Sequence, residues 1–379
     1  MDERIRQKMK SYNHLWEKFI SQENIEKAIQ NSSKGKRNRP EVKEIFEHPE
    51  EHIERIKMYA ENFHNKPHKP VWIYDGISRK KRQIIVPSYK EQIIHHMIVN
   101  VLQPIFQKGF YEHSYGSIPN KGGHKGKKYI EKWIRWDAKN CKYIGKLDIK
   151  QYFNSIPHDI LKSKLKSIIH DEKFLELLFE IVDVTDVGIP LVFYTSQWIA
   201  NWYLTGLDHY IKEDLKVKHY IRYMDDMVIF GSNKRELHKA MNKIEEYLSN
   251  VLGLKVKENW QIYRFDYIRK SKHYGRDIDF MGFRFFRDRT LLRKSVLYKA
   301  TRKARKISKK EKPTIYDLRQ MLSYLGWLDA TDTYGIYEQM IKPIFDIGKA
   351  KKRISKYDKR KGSESNVEKN SKLERCKAS

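Results

Sequence analysis

Two adjacent aspartates, Asp225 and Asp226, stand between short apolar runs in the segment IRYMDDMVIF, a pattern that an uninterrupted strand does not suit. Neighbouring side chains of a β-strand point to opposite faces, so one of the two charges would enter the core without a partner. A hairpin avoids this conflict if residues 220–223 and 227–230 form its strands and the acids occupy the bend. Taken alone, the pair is an ordinary acidic turn, because Asp is a common turn residue.

The charge of the chain indicates a polyanionic partner. Its 379 residues carry 77 Lys and Arg against 48 Asp and Glu, a formal net charge of +29 that is spread along the whole length. Dispersed Lys and Arg can each neutralise a phosphate and release its counterions. Aromatic residues, 13% of the chain, interleave with the basic ones, as stacking on bases requires. A single cluster of this kind is usually a solvated face, but over the whole chain the pattern favours nucleic acid.

Several classes of protein are excluded by composition. Cys141 and Cys376 are the only cysteines, which leaves no disulfide framework or Cys-based zinc site and fits a reducing cytosol. The 15 His show no metal-ligand motif and are interpreted as surface or core residues. Without an apolar run of membrane-spanning length or a signal peptide, we expect a cytoplasmic protein with no membrane partner.

The order of predicted elements gives an α+β fold, with antiparallel strands and helices on one face. Residues 1–70 are predicted as a basic helical extension with helix starts at Pro40 and Pro49, and 346–379 as a basic, disordered tail. KYIGKLDI is predicted as a strand that delivers Asp148 near its end, and LKVK as a later strand. Thr195 or Ser196 is predicted to cap a helix that leads into the hairpin.

The three acids suit a nucleotidyl-transfer reaction. In-line attack of a hydroxyl on phosphorus builds negative charge on the attacking and leaving oxygens, and two Mg²⁺ ions about 4 Å apart stabilise both. Mg²⁺ takes a few carboxylates together with phosphate oxygens, so carboxylates from different strands must meet at one point. Asp148, Asp225 and Asp226 meet this requirement if the first strand and the hairpin are neighbours in one sheet.

These segments resemble the motifs of reverse transcriptases. KLDIKQYFNSI is similar to the first catalytic motif and RYMDD to the second, and the ordered set KRQIIVP, SYGSIP, TSQWIANWYL, LGLKVK and IDFMGFRFF follows the family order over about residues 75–290. The resemblance implies a right-hand polymerase with fingers and an antiparallel-sheet palm over 71–289 and a small helical thumb over 290–345. It also implies an RNA template, a primer, an RNA–DNA hybrid and deoxynucleoside triphosphates as partners, with two Mg²⁺ ions, or Mn²⁺ as a substitute.

The resemblance assigns roles to particular residues. Asp148, Asp225 and Asp226 match the catalytic, metal-binding aspartates, and the Ile149 carbonyl matches a further ligand. Phe153 matches the aromatic ring under the sugar of the incoming nucleotide, which would clash with a 2′-hydroxyl. The remaining matches are nucleotide contacts: Lys81, Arg82, Gln197 and Lys257. For Lys81 and Arg82 the alternative is a solvated strand end, and for Phe153 a core aromatic.

One branch of the family fits the fourth motif best. TSQ, residues 195–197, is similar to the form found in diversity-generating retroelement reverse transcriptases, and Leu191 and Val192 stand where much of the family has Gln-Gly. In that branch the replacement accompanies error-prone copying of template adenines, and a small helical accessory protein is a further expected partner. The chain departs from the pattern at Val192, where the branch has Gly, and at Ile118, where many relatives have Arg; the second departure shifts triphosphate contacts towards Lys81, Arg82 and Lys121.

Other functions stay open at this point. A standalone antiphage-defence reverse transcriptase, bacterial or phage-encoded like the retroelement type, would share the active site and copy a dedicated noncoding RNA. An RNA-dependent RNA polymerase shares the palm chemistry, and Phe153 disfavours it. A catalytically idle RNA-binding scaffold would have no use for clustered anionic charge facing a polyanion. The segment after residue 345 is too short for a nuclease or maturation domain, which argues against a full-length group II intron protein.

Overall fold

The computed structural model describes residues 11–65, 68–75 and 80–360, which divide between Arg264 and Phe265 into two compact units. The described part of the first unit begins with four helices, α1 (Leu15–Phe19), α2 (Gln22–Ser32), α3 (Pro40–Glu47) and α4 (Pro49–Glu61). Pro40 and Pro49 occupy the first turns of α3 and α4, as predicted, because a helix start has no use for the missing N–H.

A hairpin and a long buried helix follow. Strands β1 (Pro70–Asp75) and β2 (Lys80–Ile85) form a two-stranded antiparallel sheet. Helix α5 (Tyr89–Phe106) begins with a capping box between Ser88 and Glu91 and is surrounded by the apolar core of the unit. This core joins the N-terminal helices to the rest of the unit, since α5 packs against both α2 and the helix α10 (Tyr194–Tyr203).

A five-stranded sheet is the centre of the first unit. Its strands lie in the order β3-β5-β6-β4-β7, and all neighbours are antiparallel except β3 and β5. The bounds are β3 (Ser114–Tyr115), β4 (Tyr143–Asp148), β5 (His219–Tyr223), β6 (Asp226–Gly231) and β7 (Gln261–Arg264). The helices between them are α6 (Gly123–Trp136), α7 (Tyr152–Ser155), α8 (His158–Lys166), α9 (Glu172–Val182), α10, α11 (Thr205–His209) and α12 (Lys234–Asn250).

Helices cover both faces of this sheet. On one face α12 packs so closely that a Cβ added at Gly145 would lie 3.0 Å from Met241 Sδ. On the other face Trp133 of α6 contacts Phe230, with ring centroids 5.6 Å apart. The expectation of helices on one face alone was therefore wrong, because alternate residues of β4 and β6 are apolar on both sides away from the acids.

Two local predictions were also wrong. Helix α10 begins at Tyr194 with Phe193 as its N-cap, so Thr195 and Ser196 lie inside the helix and cap nothing. Thr195 is fully buried and its hydroxyl bonds His95 Nδ1 at 3.0 Å, a tertiary use that takes precedence over capping. The LKVK segment contributes only an isolated bridge between Ile149 and Val256, and the edge strand of the sheet comes later, at β7.

The second unit contains small sheets and helices. Its strands are β8 (Tyr267–Arg269), β9 (Lys272–Tyr274), β10 (Ile278–Phe280), β11 (Phe283–Phe285) and β12 (Thr290–Leu292), and its helices are α13 (Lys294–Ser308), α14 (Ile315–Asp329) and α15 (Tyr334–Met340). The predicted hairpin in IDFMGFRFF is confirmed as β10 and β11, with Met281 and Gly282 at positive φ in the turn. Residues 347–360, within the expected tail, are helical, and 361–379 lie outside the described residues.

The limits expected for fingers, palm and thumb stay predictions, since the division into compact units follows packing alone. No helix among the described residues is long and apolar enough to cross a lipid bilayer.

Candidate active site

The three predicted metal-binding aspartates lie together at one end of the central sheet. Asp148 is the last residue of β4 and pairs in register with Asp226, the first residue of β6. Asp225 lies in the turn between β5 and β6, and its carbonyl accepts a hydrogen bond from Ile149 N at 3.4 Å. The predicted hairpin is thus present, with the difference that Asp226 opens the second strand and only Asp225 occupies the bend.

The turn that carries Asp225 is held from both sides. Met224 has a left-handed backbone, with φ of 54°, which a bulky side chain adopts only when its surroundings require it. Its N–H donates to Tyr115 O at 3.1 Å and its carbonyl accepts from Arg222 Nη1 at 3.0 Å. Gly116, at φ of 94°, leaves room for the Met224 side chain, since an added Cβ would lie 3.0 Å from Met224 Cγ.

Arg222 is itself fixed by a buried ion pair. Its Nε and Nη2 donate to the two oxygens of Asp208 at 2.8 and 2.5 Å, and both side chains are fully buried. Tyr220 adds a third hydrogen bond to Asp208, at 2.9 Å. Burial alone would lower the pKa of Arg222, but the Asp208 carboxylate raises that pKa above its usual value. The guanidinium therefore stays charged and links helix α11 to the turn.

The charges of the site are partly balanced by lysines. Lys257 Nζ lies 2.5 Å from Asp148 Oδ2, and its backbone N–H donates to Asp148 O at 2.8 Å. Lys146 Nζ lies 3.7 Å from Asp226 Oδ2. Burial, together with the charge of Asp148, raises the pKa of Asp225 to about 6. The protein therefore holds its carboxylates at a density that favours a cation between them.

Phe153 follows Asp148 on a short helical turn, α7, and is half-buried against Tyr152. Its carbonyl accepts a hydrogen bond from Ile189 N at 2.7 Å. Gly188, which precedes Ile189, has φ of +77°, and a Cβ added there would lie only 2.5 Å from Phe153 O and from Asn154 Cα. Only glycine allows the two backbones to come so close.

A second set of contacts fixes residues 183–189, the loop that contains Gly188. Gly188 O accepts a hydrogen bond from Thr185 Oγ1 at 2.8 Å and lies 2.6 Å from His158 Nε2. The other ring nitrogen of His158 lies 3.1 Å from Asp183 Oδ1, and Lys162 Nζ donates to the second oxygen of Asp183 at 2.7 Å. The loop before α10 is thus braced against the turn that carries Phe153.

The other predicted contact residues lie on several elements of the first unit. Ile149 is fully buried beside the turn. Gln197 is half-buried in α10, where its carbonyl accepts from Asn201 Nδ2 at 3.2 Å. Lys81 and Arg82 lie on the exposed strand β2, with Lys81 Nζ 4.4 Å from the ring centroid of Trp72. Within the described ranges, no hydrogen bond or ion pair joins Lys81 or Gln197 to the aspartates.

Three contributors to the site were missed in the sequence. Lys146 stands two residues before Asp148 and so on the same face of β4, a signal that strand periodicity contains. Arg222 is a lone charge within an apolar strand, which required a buried partner. Gly188 gave no signal, because its need for glycine arises from a backbone distant in sequence.

A separate cluster in the second unit has metal-ligand geometry. The ligand atoms of Asp266, His273 and Asp288 lie within 4.8 Å of one another. They are already bonded: His273 Nδ1 lies 2.9 Å from Asp266 Oδ1, Arg287 N donates to Asp266 Oδ2 at 2.7 Å, and Arg289 donates to Asp288 at 3.0 Å. The cluster is satisfied as a hydrogen-bond network that ties strand β9 to the segment before β12.

Comparison with known protein families identifies the family of the chain. Residues 66–285 match the family described as reverse transcriptase (RNA-dependent DNA polymerase). The chain belongs to the reverse transcriptase family. The match covers the strands and turn that bring Asp148, Asp225 and Asp226 together, and with the sheet topology it confirms the predicted α+β, right-hand polymerase fold.

Known reverse transcriptases and intron proteins resemble the chain over part of their length. A 91 kDa protein of a cob intron from Schizosaccharomyces pombe is 30% identical over 42% of this chain and 20% of its own length. The group II intron-encoded protein LtrA of Lactococcus lactis is 24% identical over 54% of this chain and 35% of its own length. The retron Ec73 reverse transcriptase of Escherichia coli is 26% identical over 47% of this chain and 58% of its own length. The chain therefore spans less than two thirds of each of these relatives.

Among solved structures, telomerase from Candida tropicalis in complex with a fragment of telomeric RNA aligns with a TM-score of 0.46 at 13% identity, covering 72% of this chain and 55% of that one.

Proposed function

We propose that the protein is an RNA-directed DNA polymerase that copies an RNA template into cDNA. The observation that carries the proposal is the register of β4 and β6, which sets Asp148 opposite Asp226 with Asp225 in the adjoining turn. Nucleotidyl transfer needs carboxylates from separate strands at one point, and this pairing supplies them. The family match over residues 66–285 supports an RNA template and deoxynucleoside triphosphates as substrates.

The donor set fits divalent cations. Asp148 Oδ1 is buried and accepts no hydrogen bond from the described residues, a position that costs free energy unless a cation is bound there. Asp148, Asp225, Asp226 and the Ile149 carbonyl would hold Mg²⁺ or Mn²⁺, which prefer oxygen ligands. Such ions supply charge stabilisation for the attacking and leaving oxygens and lower the pKa of the attacking hydroxyl.

The remaining residues position the nucleotide in this proposal. Lys257 is anchored by its backbone to Asp148, so its ammonium can exchange the carboxylate for a triphosphate oxygen. Lys81 and Arg82 extend from the exposed hairpin as further triphosphate contacts, and Gln197 faces the nucleotide from α10. Phe153 is the sugar gate, and its backbone is held by Ile189 and Gly188.

We infer further that the polymerase is of the diversity-generating retroelement type and copies template adenines inaccurately. Support comes from the TSQ segment and from Leu191 and Val192 in the place of Gln-Gly. An aliphatic side chain cannot hydrogen-bond around the nucleotide as Gln does, so the geometry of the base pair is less strictly controlled.

Primer extension on a synthetic RNA template with Mg²⁺ and deoxynucleotides tests both the polymerase activity and the retroelement type. The wild type should extend the primer and Asp225→Ala should not; ribonucleotide incorporation at equal efficiency would overturn the assignment as a DNA polymerase. Sequenced products should show excess errors opposite adenine, and Leu191→Gln should reduce them. An even error spectrum would reject the retroelement type. Extension only on a dedicated noncoding RNA, without adenine bias, would favour the antiphage-defence type.

A further inference from the structure

Helix α6 presents a stripe of exposed cations that the catalytic site does not use. With 3.6 residues per turn, the members of this stripe fall within an arc of about 100°. The opposite side of the helix is buried in the first unit through Ile130, Trp133 and Ile134. The basic stripe consists of Lys125, Lys128, Lys132, Arg135 and Trp136, all exposed, with Trp136 at 84%.

No acid interrupts the basic stripe. Glu131 is the only acid within α6; it lies on the flank and forms an ion pair with Lys127 at 2.7 Å. Asp137, which follows the helix, is engaged by Lys218 and His219 at 2.7 and 2.8 Å. The charges of these two carboxylates are thus largely compensated, and the stripe keeps a positive potential along its length.

The stripe lies on the catalytic side of the central sheet. Trp133 packs against Phe230, and Phe230 shares a face of β6 with Asp226 because side chains alternate along a strand. Phe230 is the fourth residue after Asp226, which is about 13 Å along the strand. Helix α12, with Lys239 bonded to Glu236, covers the opposite face and carries a mixture of charges.

The spacing of the cations fits a nucleic-acid strand. Successive basic residues are separated by about 4.5–6 Å along the helix axis, and each can neutralise one phosphate. An exposed indole at the end of such a row provides a surface on which an unpaired base can stack. Newly made cDNA is paired with its template, so the strand that offers unpaired bases to a reverse transcriptase is the template RNA.

We propose that the basic stripe of α6 binds the phosphodiester backbone of single-stranded template RNA, with Trp136 stacked on a base. The proposal rests on RNA being the template, and it adds a binding surface away from the aspartates. Binding is measured without nucleotides or metal ions, so its failure is distinguishable from a failure of the polymerase assignment.

The test compares two triple variants by fluorescence anisotropy with a fluorescein-labelled single-stranded oligouridylate over a salt series. Lys125→Gln/Lys128→Gln/Lys132→Gln should make the plot of log affinity against log salt shallower by about 2, since each phosphate contact on a single strand contributes about 0.7. Lys234→Gln/Lys239→Gln/Lys243→Gln removes the same charge from α12 and should leave the slope nearly unchanged. Equal changes in both variants would overturn the proposal.

Trp136 provides an independent measurement. Trp136→Ala should weaken binding of the oligouridylate by at least about fivefold, and Trp136→Phe should retain most of the affinity, because a phenyl ring still stacks. The side chain is exposed, so unfolding midpoints of both variants should match that of the wild type. Unchanged affinity in Trp136→Ala, or an equal loss for an RNA duplex, would overturn the assignment to single-stranded RNA.

Discussion

Arg222 and Asp208 form a fully buried ion pair with two parallel hydrogen bonds, of 2.8 and 2.5 Å. The same guanidinium donates to the carbonyl of Met224, the residue before Asp225. A charge pair in the core thus holds the turn that carries Asp225, one of the proposed metal ligands.

Breaking this pair should affect stability and activity separately. Asp208→Asn and Arg222→Met each leave an uncompensated buried group and should lower the free energy of unfolding by about 3–5 kcal/mol, measured in urea. The double variant Arg222→Met/Asp208→Leu should recover much of that stability, yet its kcat should stay low because nothing holds the Met224 carbonyl. Full activity in the double variant would contradict the positioning role.

The pH dependence of stability should report the raised pKa of Asp225. Its pKa moves from 3.8 to about 6 on folding, so ionised Asp225 destabilises the metal-free protein, fully above pH 6. The penalty shrinks as pH falls from 6 and disappears below 3.8, where both states are protonated. Asp225→Asn should therefore be more stable than wild type by about 2 kcal/mol at pH 8 in a chelator. The gain should shrink by pH 4.5.

The control for this measurement is Asp186→Asn, which removes an exposed aspartate of the same unit. A gain in Asp225→Asn that is the same at pH 8 and pH 4.5 would show that the effect is not electrostatic.

Removing the proposed sugar gate should change substrate choice more than catalysis. Phe153→Ala opens space where a 2′-hydroxyl would otherwise clash, so the ratio of kcat/KM for deoxynucleotides over ribonucleotides should fall by at least tenfold, or about 1.4 kcal/mol. Single-nucleotide incorporation kinetics measure this ratio. An unchanged ratio would mean that Phe153 acts only as a core aromatic.

Gly188→Ala should displace the backbone that carries Phe153. The added Cβ would lie 2.5 Å from backbone atoms of residues 153 and 154, at a φ of +77°, so the Phe153 turn must move. We expect a loss of about 2 kcal/mol in unfolding free energy together with a changed preference for deoxynucleotides. Gly109→Ala is the matched control, because no atom lies within 4 Å of its Cβ position. Equal effects of the two variants would contradict the brace.

The sequence predicts the chemistry of the site better than its support. Asp148, Asp225 and Asp226 are found because acids in strand and turn positions violate the ordinary pattern of an apolar core, and the hairpin that joins two of them follows from the same rule. Lys146 was within reach of that rule and was missed.

Tertiary contacts account for what the sequence could not give. Arg222 and Asp208 lie on different elements, and no local sequence pattern specifies their pairing. Position 188 must be glycine because a backbone segment more than thirty residues earlier in the chain lies too close for a Cβ. Thr195 is a residue type that commonly serves as an N-cap, but its hydroxyl is hydrogen-bonded to His95 from another helix. Local propensity loses wherever a buried polar group has a partner elsewhere.

The order of strands in the central sheet has a consequence for synthesis on the ribosome. Strand β4, with Asp148, lies between β6 and β7, and both neighbours follow it in the chain by more than seventy residues. Until residue 264 has left the exit tunnel, a strand designed for the middle of a sheet has an unpaired edge, which is prone to pair with other chains. Expression yield should therefore depend on chaperones that shield nascent strands, and truncations before residue 264 should aggregate rather than accumulate as inactive polymerase.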